Sequence, residues 1–187
     1  MYDRKDIYTR WSHMHDRCND SNRRSYRNVK VCDEWHDFNN FYNWVISDKS
    51  NYHKEYVLDK DILQWNSKNK IYSPDTCIFI PNGLNAYLGG IINRKDNVVG
   101  PIREFWFRNR RIYISSKYIP NKLSEKFVRY FIFDEVMKYF YNNYDIPTHI
   151  KAMIKNINDT VNKLGTKFNL KYINSELIEI LRDFIHN

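Results

Sequence analysis

The spacing of apolar residues changes character along this chain, and those changes set the fold class. From residue 7 to 18, Ile7, Tyr8, Trp11, Met14, His15 and Cys18 recur at intervals of three and four, the period of one helix face. A polar loop follows with Asn19, Asp20, Arg23 and Arg24, and Val29 and Val31 then flank Lys30 as a short strand. Phe38, Phe41, Tyr42 and Val45 return to helical spacing over 37–46, with Trp44 beside them and Asp37 as the cap. Residues 56–63 and the surroundings of Cys77-Ile78-Phe79-Ile80 have strand character. Between them lie a turn at 66–70 and a predicted helix start at Ser73-Pro74-Asp75. Beyond Gly89-Gly90 the pattern predicts strands over 91–97 and 102–114, with turns at Asp96-Asn97 and Asn109-Arg110. Helices are predicted over 123–143, 149–164 and 175–185. The sum is an α+β fold.

Size and charge narrow the function. At 187 residues the chain suits one domain, or a small domain with an appendage. Aromatic residues are 17% of it, too many for a disordered polyelectrolyte. A formal charge of +8 points to a polyanionic partner. Nucleic acid is favoured over an anionic membrane, because no basic segment carries an uninterrupted apolar face. No run approaches the roughly 20 apolar residues of a membrane span. The opening Met1-Tyr2-Asp3-Arg4-Lys5-Asp6 leads into no apolar signal core, so a cytoplasmic location is expected. Cys18, Cys32 and Cys77 are widely spaced, odd in number and without a CxxC pair. They read as buried thiols rather than a disulfide framework or a zinc site.

The stretch from Leu58 to Asn85 carries the candidate chemistry. Asp59 and Asp61 point to one side if the backbone is extended. Two carboxylates with an Asn amide oxygen nearby suit a hard cation such as magnesium, which could polarise a phosphodiester. The competing reading is a capped turn with exposed acids.

Here the sequence resembles a family. Leu58-Asp59-Lys60, then Pro74-Asp75-Thr76-Cys77-Ile78-Phe79-Ile80-Pro81 and Asn85, resemble the ββα-metal core of HNH endonucleases in the version found in phage-encoded homing endonucleases. Upstream, Tyr8, Trp11, Arg17-Cys18, Val31-Cys32-Asp33-Glu34-Trp35, Phe38, Phe41 and Trp44 also resemble those proteins, so the likeness covers roughly residues 8–88. It implies a metal-dependent DNA endonuclease, with magnesium or manganese held by Asp59 and Asn85. The family's general-base His is replaced by Lys60, and the Asn that orients that His by Thr76. These two positions and Asp61 are the candidate catalytic residues. Lys60 serves more easily as a phosphate ligand than as a base, because acidic neighbours keep it protonated. His53 is the histidine nearest in sequence that could replace the missing base. His13, His36, His149 and His186 read as ordinary surface or core residues.

The resemblance extends loosely into the second half, where related proteins carry a small DNA-binding module of strands and a helix. Residues 1–88 are thus expected as the nuclease domain, and 89–187 as a β-ribbon with a helical DNA-binding appendage. Arg94, Lys95, Arg103, Trp106, Arg108, Arg110 and Arg111 would contact DNA, since interleaved basic and aromatic residues suit phosphate contact and base stacking. Two alternatives stay open. One is a DNA-binding descendant that has lost catalysis. The other is a phage effector that binds a host protein through its aromatic surface.

Overall fold

A computed structural model of the chain describes residues 2–92, 104–162 and 169–187. Its first helix, α1 (Arg4–Asn19), begins earlier than the apolar period predicts, because Asp3 caps it by accepting the Lys5 N–H at 2.9 Å. Asp6 in the first turn and Arg17 in the last match the helix dipole. Ile7 and Met14 are its fully buried residues. The second helix, α2 (Phe38–Val45), carries the predicted cap: Asp37 accepts the Asn39 N–H at 2.8 Å. It buries Phe41, Trp44 and Val45.

An aromatic cluster joins these helices to the strands. Trp35 meets Phe41 edge-on at 4.9 Å and Trp44 at 4.7 Å, and Trp44 reaches Phe79 at 5.9 Å. Trp11 Nε1 donates to the Trp35 carbonyl at 2.6 Å, so α1 is tied to the same cluster. Strand β1 (Val29–Val31) pairs in parallel with β3 (Lys70–Tyr72). Strand β2 (Tyr56–Asp59) pairs antiparallel with β4 (Ile78–Pro81), with Tyr56 opposite Pro81 and Asp59 opposite Ile78. Helix α3 (Asn82–Ile92) leaves β4 without an intervening loop and packs on β2 and β4 through buried Leu84 and Leu88.

Three expectations change here. The strand predicted over 56–63 stops at Asp59, because that carboxylate captures the N–H groups of Asp61 and Ile62 and turns the chain. Ser73-Pro74-Asp75 starts no helix. Ser73 O accepts from Thr76 and Cys77, one turn forms, and the next residues pair with β2 instead. Ile91 and Ile92 end α3 rather than begin a strand, and the remainder of that predicted strand lies outside the described residues.

The chain divides into two compact units, residues 1–92 with 147–153, and residues 93–146 with 154–187. In the second, β5 (Glu104–Phe107) and β6 (Arg110–Tyr113) form an antiparallel hairpin. Its turn is Arg108-Asn109, one residue before the predicted position. Both residues have positive φ, 52° and 60°, as the tightest hairpin turns require. Phe105 and Phe107 point inward, and Trp106 points out. Helix α4 (Lys122–Asn143) buries Phe127, Phe131, Val136 and Phe140 among others. Helix α5 (Thr148–Asn162) follows, its residues from Ile154 on belonging to this unit, and α6 (Ser175–His186) packs Leu177, Leu181 and Ile185 with α4. The fold is mixed α+β, and every sheet among the described residues is two-stranded.

Candidate active-site cleft

A cleft of about 310 Å³ in the first unit collects residues from α1, β2 and the turn after it, β3, α3 and the short 3-10 helix Arg24–Tyr26. Asp59, Lys60, Asp61 and Asn85, separated by up to 26 positions in sequence, all line it.

Asp59 ends β2 with only 3% of its surface exposed. Its Oδ1 accepts two backbone N–H groups, from Ile62 at 2.8 Å and Asp61 at 2.9 Å. Among the described residues its Oδ2 accepts no hydrogen bond. Burial pushes its carboxyl up to about 6 despite those two donors, and the Asp61 charge adds to the rise. Asn85 sits half-buried on α3 and brings an amide to the same space.

Asp61 is committed elsewhere. It accepts from Lys60 Nζ at 3.0 Å and from Lys70 Nζ. Burial works to raise its carboxyl, but Lys70 and Lys60 hold it below the usual range. Lys60 is buried, and its ammonium lies 4.9 Å from the Tyr26 ring centre and 5.8 Å from that of Tyr72. Gln64 braces the turn from behind, donating to the carbonyls of Lys60 at 2.7 Å and Ile71 at 2.8 Å.

Thr76 is not part of this lining. Its hydroxyl donates to Ile71 O at 2.6 Å and pairs with Ser73, so it braces the loop before β4. His53 is also elsewhere: it is exposed, accepts the Glu55 N–H, and borders a separate hollow with Tyr2, Asp6 and Tyr52.

The imidazole in the Asp59 cleft belongs to His13, from α1. Arg10, Arg17, Tyr26, Tyr72 and Asn82 complete what the sequence reading left out. The 10-13-17 spacing on one helix face was a signal for the α1 residues, but it points at a cleft only once the fold brings β2 across from that face. Arg10 is fully occupied by Asp6 at 2.8 Å and by the carbonyls of Tyr56 and Lys54. Its role is to fasten α1 to the segment entering β2.

Among the described residues no three His, Cys, Asp or Glu side chains converge as a metal-ligand group. The cleft offers one uncommitted carboxylate oxygen, on Asp59, and the amides of Asn82 and Asn85. That small set suits a magnesium-type ion, which keeps several waters and shares itself with substrate phosphates, better than a dedicated metal cage.

In the second unit the ribbon residues divide. Trp106 is 55% exposed and Tyr113 66%, and the Arg111 guanidinium lies between them, 4.9 and 4.6 Å from their ring centres. Arg108 lies over Tyr139 at 5.1 Å. Arg110 is held by Phe184, through its ring and its carbonyl. Arg94, Lys95 and Arg103 lie outside the described residues. No helix among the described residues is long and apolar enough to cross a membrane.

Comparison with protein-family models, with curated proteins and with solved structures finds no match to this chain.

Proposed function

We propose that this chain is a metal-dependent DNA endonuclease of the HNH type, with β2, β4 and α3 as its ββα core. The observation that carries the reading is the shared cleft. Asp59 at the end of the first strand and Asn85 on the following helix face one space, with Lys60 between them in the chain. Those are the positions at which the resemblance expects metal ligands and a catalytic residue.

Asp59 and Asn85 would hold the magnesium or manganese ion, which when bound supplies charge stabilisation to the leaving oxygen. The chain's own residues do the rest. The Ile62 and Asp61 N–H groups fix Asp59 so that its second oxygen stays available. Lys60, paired with Asp61 at 3.0 Å, serves as a ligand for a phosphate oxygen. An imidazole nitrogen of His13, which lines the cleft, accepts the proton of the attacking water. On the ribbon, the Trp106–Arg111–Tyr113 face supports DNA contact by stacking and charge.

One observation favours a second reading, a DNA-binding descendant without catalysis: the residue in the base position is a lysine locked in an ion pair. Supercoiled-plasmid cleavage with magnesium or manganese separates the two. Nicking that requires metal and is lost in Asp59→Ala and His13→Ala supports the nuclease. A plasmid bound but left intact with either metal supports the descendant.

A further inference from the structure

The charges of the cleft do not cancel locally. Arg10 is neutralised by Asp6, and Lys60 by Asp61, which Lys70 also holds. Arg17 is different. Its side chain lines the cleft, yet among the described residues it forms no ion pair, and its Nε is buried without a hydrogen-bond partner. A buried donor left unsatisfied bears the desolvation penalty of its group, so in a native structure it calls for an explanation. The helix dipole explains a basic residue in the last turn of α1, but not one turned into a cleft.

The surroundings hold Arg17 in place rather than neutralise it. The Tyr26 ring lies 5.9 Å from its guanidinium carbon. One turn earlier on the same face of α1, His13 opens onto the same space. A planar fork of donors with no acceptor, facing a cleft, matches a phosphate oxygen pair.

Resting on the nuclease reading of this cleft, we infer that Arg17 is its phosphate anchor, binding a backbone phosphate of a nucleic-acid strand without need of the metal. Arg17 is then a binding residue that positions the strand against Asp59.

The test is made without metal, so that it does not depend on cleavage. In EDTA, the full chain labelled with nitrogen-15 arginine is titrated with a four-nucleotide oligothymidylate and, separately, with inorganic phosphate. The Arg17 Nε–H resonance is assigned by its loss in Arg17→Lys. The expected result is a saturable shift of that resonance with the oligonucleotide. A weaker or absent shift with inorganic phosphate would identify the strand as the ligand, whereas equal shifts would identify a free-phosphate site and overturn the strand assignment. An unmoved Arg17 resonance while the oligonucleotide saturates other sites overturns the anchor. In parallel, Arg17→Ala should weaken oligonucleotide binding about tenfold, against an unchanged affinity for Lys5→Ala, a charge control outside the cleft. If Arg17 responds but no plasmid is ever nicked, the anchor stands and the nuclease reading falls. If nicking occurs and Arg17 does not respond, the reverse holds.

Discussion

The Asp59 carboxylate accepts the backbone N–H of Ile62 at 2.8 Å, and this bond makes a buried acid both the end of a strand and the start of a turn. One oxygen is used for structure, and among the described residues the other accepts no hydrogen bond. A carboxylate held this way is poorly solvated, which is why burial pushes it from 3.8 up to about 6.

That shift predicts a pH dependence of stability. Below about pH 4 the acid is protonated in both the folded and unfolded states. Between about pH 4 and 6 the folded state keeps a proton that the unfolded chain has released. Stability therefore falls as pH rises through this window, by at most about 3 kcal/mol. Asp59→Asn keeps the Oδ1 acceptor and removes the charge. Urea unfolding at pH 4 and pH 7 should show the variant gaining on the wild type at pH 7 only. An equal difference at both values would rule the effect out.

Asp61→Asn should act in the opposite direction. It removes the charge that Lys60 and Lys70 share, and leaves a buried ammonium without its partner. The expected loss is about 1–3 kcal/mol at neutral pH. Because the folded carboxyl sits below its usual range, the wild-type advantage should be present above about pH 4 and fade on acidification. Denaturant midpoints of the pair across pH 3–7 test this.

The exposed ribbon face predicts a change in binding without a change in stability. Trp106→Ala removes a half-exposed ring, so the melting temperature should barely move, while single-stranded DNA affinity drops by about 1–3 kcal/mol. Arg111→Ala should lower the salt slope of binding by about one. Fluorescence anisotropy at several salt concentrations reads both effects. A ribbon that does not touch nucleic acid would leave both unchanged.

Trp35→Ala marks the opposite extreme. Trp35 is 1% exposed and contacts Phe41 and Trp44, and its carbonyl accepts from Trp11. Its truncation should cost about 3–5 kcal/mol, seen as a collapse of the unfolding midpoint.

The helices were readable in the residues because a 3.6-residue period and a cap are local properties. Asp37 was recognisable as a cap from sequence, and so was the run of buried aromatics from Phe127 to Phe140. The strand limits were less readable. Residues 56–63 have a continuous strand-like composition, but the chain turns at Asp59 because a side chain competes for backbone donors. Thr76 stood at a catalytic position by resemblance, and the structure gives its hydroxyl to the Ile71 carbonyl.

By itself the sequence determined the α+β class, most helices, the basic balance and the short stretch holding Asp59, Lys60, Asp61 and Asn85. Only the tertiary structure decided that His13 and Arg17 join them while His53 does not. Which side chains share a cleft depends on how α1 packs beside β2. That packing comes from distant contacts, such as Arg10 with the Tyr56 carbonyl and Trp11 with that of Trp35, which no local period encodes.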